Sequence, residues 1–200
     1  MVGPAAKFIK ATDEEQILKE IYIQPDLVKK VTYHKSDNHV NPVIAGAPLD
    51  YSFRKVSSLA ELEYGTPREF RVGIPKKNKS GKFVSSTLWA NYNNLTDLQS
   101  VSSLVNVSFH KPEMIAWLDV SFNEIEIVSE ELLTLKNLKI LYMHGNKIKF
   151  FIEVSKLKPL KLLRTLTLHG NPIEEHPNYR NMVIKALPHL INFDFSLITR

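Results

Sequence analysis

The sequence predicts a right-handed α/β solenoid of about five repeats, with a C-terminal cap helix and strand and an extended N-terminal arm. Three observations predict it. A phrase returns along the second half of the chain, as WLDVSFNEI at 117–125, LYMHGNKI at 141–148 and LTLHGNPI at 166–173. Its asparagines, Asn123, Asn146 and Asn171, lie 23 and then 25 residues apart. Before each asparagine, apolar residues alternate with other types (Leu118, Val120; Leu141, Met143; Leu166, Leu168), the period of a strand with one buried face. A fixed period in this range, with the pattern L-x-x-L-x-L-x-x-N-x-L, marks a leucine-rich repeat array.

Taken in chain order, residues 1–48 form an arm that does not repeat. Thr12-Asp13-Glu14-Glu15 reads as a capping box opening a short helix with Ile17, Leu18 and Ile21 as its apolar stripe, and Pro25 ends it. So short a helix needs a surface to dock on, and the expected surface belongs to a partner chain. A Pro/Gly/Asn-containing linker follows, from Asn38 to Pro48. Residues 49–84 form a flanking and capping segment, in which Leu49-Asp50-Tyr51-Ser52-Phe53 covers the open edge of the first repeat. Residues 85–200 carry the repeats and the cap. A weaker copy, Leu88-x-Ala90-x-x-Asn93-x-Leu95, precedes the three clear ones by 30 residues, with an insertion expected around Asn106 to Pro112. A degenerate copy, Leu190-x-x-Phe193-x-Phe195, closes the array.

The letters follow from packing and hydrogen bonding. One repeat cannot bury its own apolar face, so neighbours stack their strands in parallel. Asn93, Asn123, Asn146 and Asn171 form a turn ladder, each asparagine bonding the backbone of its own turn and of the adjacent repeat. Segments such as 127–135 and 152–160 return along the convex side as short helices or 3₁₀ turns.

A solenoid offers a broad ordered surface rather than a pocket, so the expected function is protein binding. Residues that alternate with the buried ones should face the concave side: Trp89, Asp119, Ser121, Tyr142, His144, Thr167, His169 and Asp194. Trp89 and Tyr142 are expected to project into water as the anchors of a partner contact, because large aromatics supply most interface hot spots. A second candidate is the basic loop Lys76, Lys77, Lys79 and Lys82, suited to an acidic surface such as tubulin or nucleic acid. No aromatic residue interleaves with these lysines, which disfavours nucleic acid.

Composition narrows the classes further. The apolar fraction of 44% is that of an ordinary folded chain, and the net charge is +5. With no cysteine, disulfides and thiolate metal sites are excluded. His144 and His169 share a register but lack a third ligand, so no metal is expected. Seven glycines leave little for a phosphate-cradling loop, and the pairs Glu130-Glu131 and Glu174-Glu175 lie outside any expected pocket. The expectation is therefore no enzyme, no cofactor and no small-molecule substrate. No apolar run reaches membrane-spanning length and Met1 to Lys10 lacks a secretory core, so the expected location is cytoplasmic, without membrane contact.

The chain end, Tyr179-Arg180 followed by Leu187-Pro188-x-Leu190-x-x-Phe193-Asp194, resembles the C-terminal cap of intracellular leucine-rich repeat proteins, with Phe193 in place of the usual leucine. The resemblance implies a cap helix from His176 to Leu187 with Pro177 in its first turn. LDYSFR at 49–54, KSGK at 79–82, Leu88-Trp89, Asn93, AWLDVSFN at 116–123 and LTLHGNP at 166–172 together resemble the leucine-rich repeat-containing protein 51 family. That resemblance covers roughly residues 47–200. It implies a non-catalytic scaffold in a ciliary or axonemal microtubule assembly, with axonemal or tubulin-associated protein partners. A regulatory subunit of a protein phosphatase-type complex and a ribonucleoprotein scaffold are the competing readings.

Overall fold

A computed structural model of the chain describes residues 47–69 and 73–199. The arm expected over residues 1–48, with its helix from Thr12, lies outside the described residues except for Ala47 and Pro48. Among the described residues, seven short strands form one sheet in chain order: β1 Leu49–Asp50, β2 Thr87–Trp89, β3 Trp117–Asp119, β4 Ile140–Tyr142, β5 Thr165–Thr167, β6 Asn192–Phe193 and β7 Ser196–Leu197. β1 to β6 pair in parallel, and β7 turns back antiparallel to β6.

The register places one apolar side chain per strand in a single row: Leu49, Leu88, Leu118, Leu141, Leu166 and Phe193, all fully buried. Tyr51, Ala90, Val120, Met143 and Leu168 form a second buried row. The convex side closes the core with α1 Val101–Ser108, α2 Phe151–Ser155 and α3 Tyr179–Ala186, and with 3₁₀ turns such as Glu130–Thr134 and Pro172–Glu175. From these come Leu104, Leu132, Val154 and Val183, all buried in the same core. Each such aliphatic side chain contributes about 1.5–3 kcal/mol on burial.

Three expectations are corrected. The long spacing between Asn93 and Asn123 is not a loop insertion around 106–112. It holds the full helix α1, after which Phe109 pairs in parallel with Phe83. The last repeat ends at Phe193, so Phe195 is not an inward strand residue: Asp194 (φ 47°) and Phe195 (φ 58°) make a two-residue hairpin turn into β7. Two successive positive φ values match the right-handed twist of a tight hairpin, at a steric cost of about 1–2 kcal/mol per non-glycine residue. The cap helix runs from Tyr179 to Ala186 rather than from His176, because Pro172–Glu175 forms its own 3₁₀ turn and His176 is extended before Pro177.

The residue before each turn asparagine adopts positive φ: Tyr92, Phe122, Gly145 and Gly170, with Phe53 in the equivalent place after β1. The three aromatics offset this strain by stacking, Phe53 on Tyr92 at 4.5 Å and Tyr92 on Phe122 at 4.4 Å. The stack ends where Gly145 begins: a Cβ there would meet the Phe122 ring at 2.7 Å.

Candidate protein-interaction face

The solvent side of the sheet carries residues in three columns. Beside the first buried row run Thr87, Trp117, Ile140, Thr165 and Asn192. Next come Asp50, Trp89, Asp119, Tyr142 and Thr167, neighbours in the strand register. Beyond the strand ends follow Ser52, Asn91, Ser121, His144 and His169. The structure thus brings together Trp89, Asp119, Ser121, Tyr142, His144, Thr167 and His169, and adds Trp117, which the sequence analysis did not single out. Extending the strand alternation one step before Leu118 would have found it.

Rings dominate the contacts. Trp89 meets Trp117 edge-on at 5.5 Å, and Trp117 meets Tyr142 edge-on at 5.6 Å. Phe195 reaches back from the hairpin turn to Tyr142 at 5.5 Å and to His144 at 5.7 Å. His144 and His169 stack at 4.6 Å. His144 Nδ1 lies 2.8 Å from Thr167 Oγ1, and burial, reinforced by His169, pushes its pKa down to about 4, so the ring is neutral near pH 7. Among the described residues no group of three or more His, Cys, Asp or Glu could hold a metal ion.

Burial corrects the expectation for the anchors. Trp89 is only 8% exposed, and Tyr142 is half-buried; neither is a large ring left in water. The edge-to-face packing along the face is one reason. The aromatic that does project is Phe195, 56% exposed. Asp194 is also reassigned. Its Oδ1 accepts hydrogen bonds from Leu168 N (2.6 Å) and His169 N (3.0 Å), and its Oδ2 accepts one from Tyr179 Oη (2.8 Å). This carboxylate caps the sheet instead of facing a partner.

Asp119 Oδ1 accepts hydrogen bonds from Ser121 N (2.9 Å) and Ser121 Oγ (2.6 Å). Asp50 and Ser52 repeat the arrangement two strands away, at 2.8 and 2.6 Å. Burial pushes the Asp119 pKa up to about 6; the Ser121 bonds oppose this and the Asp50 charge adds to it. Burial together with the Asp119 charge raises Tyr142 and Tyr92 to about 12. A carboxyl whose folded pKa exceeds its unfolded value stabilises the fold fully at low pH, and that contribution is lost as pH rises through the folded value. Wild-type stability from this group therefore falls between about pH 4 and pH 6. Asp119→Asn keeps an oxygen for Ser121 and removes the charge. Chemical denaturation is expected to show the variant about 1–3 kcal/mol more stable at pH 7.5, the gap closing by pH 4. An equal gap at both values would show that Asp119 is not held as a costly buried anion.

The basic segment folds as a hairpin. Asn78 N donates to Lys82 O (2.8 Å), Val84 N donates to Lys76 O (2.8 Å), and Lys77 pairs with Phe83. Lys77 lies over the Phe83 ring at 4.6 Å and Lys82 Nζ donates to Asn106 O at 2.6 Å, while Lys76 and Lys79 are exposed.

No protein-family model matches the chain. Leucine-rich repeat-containing protein 51 of Bos taurus is 44% identical over 163 residues, 82% of this chain and 84% of that protein. The Homo sapiens protein of the same name is 40% identical over the same shares. This chain belongs to the leucine-rich repeat-containing protein 51 family. Among solved structures, the crystal structure of the Drosophila melanogaster SNF/U2A' complex contains a chain that matches with a TM-score of 0.54. The match has 22% identity and covers 72% of this chain and 85% of that one. At that identity the likeness shows the fold, a leucine-rich repeat solenoid. Leucine-rich repeat proteins are in general interaction scaffolds rather than catalysts.

Proposed function

We propose that this family member is a non-catalytic protein–protein interaction scaffold that receives a partner on the strand-side face, as a structural component of a ciliary or axonemal microtubule assembly. The observation that carries the binding face is the ring series Trp117–Tyr142–Phe195, ending in a largely exposed phenylalanine at positive φ. A strained, exposed aromatic is costly to keep for the fold alone and is the kind of side chain that anchors interfaces. Leu197 on β7, paired with Asn192, is a second exposed apolar residue of this hairpin. The ciliary part of the reading rests on the family likeness. The hairpin that displays Lys76, Lys77 and Lys79 suits an acidic surface such as tubulin.

Phe195→Gly separates binding from folding. Relief of the positive-φ strain, about 1–2 kcal/mol, offsets the lost ring contacts, so the melting curve should stay close to wild type. Incorporation of the tagged variant into axonemes should fall at least about tenfold, as expected for loss of an interface anchor. Normal incorporation would overturn the strand-side binding face. Absence of the wild-type protein from purified axonemes would overturn the ciliary assignment.

A further inference from the structure

We infer that Asp119, with the rings of Trp117, Tyr142 and Trp89 around it, is the seat for a lysine or arginine side chain presented by the partner. The inference rests on the strand-side binding face proposed above and names what that face recognises. Acid and ring alternate across four neighbouring strands at one register, as Asp50, Trp89, Asp119 and Tyr142. Neighbouring strands lie about 4.8 Å apart, so the Asp119 carboxylate is flanked directly by two rings. Trp117, two residues earlier on the same face of β3, adds a third. The rings meet at interplanar angles of 72° and 75°, and the two that are partly exposed, Trp117 and Tyr142, stand at a corner where a ring face can meet a cation while the carboxylate supplies the countercharge.

Among the described residues the charges on the face are unbalanced. Asp119 is 9% exposed and forms no ion pair among the described residues. Its Oδ1 is held by Ser121, and no hydrogen bond to its Oδ2 is seen among the described residues. The solvent-side columns hold no lysine or arginine. Arg68, at the β1 rim, is committed elsewhere, with Nη1 bonding Ser52 O and Oγ and its guanidinium over the Phe53 ring. In a chain of net charge +5, a buried carboxylate that forms no ion pair among the described residues is complementary to a cation brought by another molecule. A second unmet group lies beside it: Trp117 Nε1 is buried without an acceptor among the described residues. A backbone carbonyl next to the incoming cation would accept its hydrogen.

The chain contains two tryptophans, and both belong to this cluster, so their indole N–H resonances report on it directly. The full chain is titrated with short capped glycine peptides carrying a single arginine, lysine or norleucine. The arginine or the lysine peptide should shift the Trp117 indole resonance saturably, with norleucine weaker by about tenfold. Asp119→Asn should weaken the cationic peptide at least about fivefold while its melting temperature rises, an outcome that a structural role for Asp119 does not give. Equal binding of norleucine would overturn the cation seat and leave the strand-side face standing, since that face is tested separately by Phe195→Gly. No saturable shift with any peptide would also overturn the seat.

Discussion

Asn146→Ala is expected to destabilise the protein by about 3 kcal/mol, shifting its urea midpoint accordingly. Asn146 Nδ2 donates to Met143 O of its own turn (2.9 Å) and to Val120 O of the preceding repeat (3.0 Å), while Oδ1 accepts from Ile125 N (3.0 Å). The same pattern recurs one repeat on either side. Val120 O also receives Asn123 Nδ2, and Met143 O also receives Asn171 Nδ2, so each asparagine links two turns. After truncation those carbonyls keep one donor each, but the buried Ile125 N–H has none. An unmet buried group costs about 1–3 kcal/mol, and the lost bonds add roughly 1 kcal/mol apiece before partial compensation. Loss of hydrogen-exchange protection should appear first at Ile125. Asn94→Ala is the control: that asparagine is exposed and makes one long bond, so its change should lie within about 0.5 kcal/mol. A midpoint for Asn146→Ala that matched the control would refute an interlocked ladder.

Much of this fold is legible in the sequence because its physics repeats at one spacing. Buried leucines and turn asparagines recur with the period, so each copy corroborates the next. Residues with one-off roles carry no such signal. Phe53, Tyr92 and Phe122 occupy the left-handed turn position that Gly145 and Gly170 make recognisable, yet an aromatic there reads as an ordinary surface residue until the stack is seen. The strand alternation correctly places Trp89 and Tyr142 on the solvent side. It says nothing about rings packing edge-on over one another, as Trp89 does with Trp117 and Trp117 with Tyr142. For Phe195, an L-x-x-F-x-F pattern cannot reveal that the strand stops one residue early. That depends on a carboxylate capturing amides just past the end of β5.

That capture defines the last large effect: Asp194→Ala is expected to cost about 3–4 kcal/mol and to loosen the C-terminal cap selectively. Along the sheet, each strand donates to the carbonyl of the next: Tyr51 N to Trp89 O, Ala90 N to Asp119 O, Val120 N to Tyr142 O and Met143 N to Thr167 O. The series would continue with Leu168 N, but the chain has turned at Asp194, so the Asp194 carboxylate takes the place of that carbonyl and also binds His169 N. Its second oxygen holds Tyr179 Oη of α3, and Arg180 Nη1 beside it holds Phe193 O at 3.1 Å. This explains chemically why Tyr-Arg and Phe-Asp occur together near the chain end. Burial alone would raise the Asp194 pKa, but the bonds from His169, Leu168 and Tyr179 more than reverse it and hold it below the usual carboxylate range. A depressed folded value means the contribution is present above the unfolded pKa, about 3.9, and is lost as pH falls through the folded value. The Asp194→Ala deficit should therefore be full at pH 7 and shrink below about pH 4, the opposite sense to Asp119→Asn. Amide exchange should rise at Leu168, His169 and along Tyr179–Ala186, while Leu88 and Leu118 stay protected. Uniform loss across the whole array would argue that the cap and the repeats unfold as one unit and that Asp194 has no local capping role.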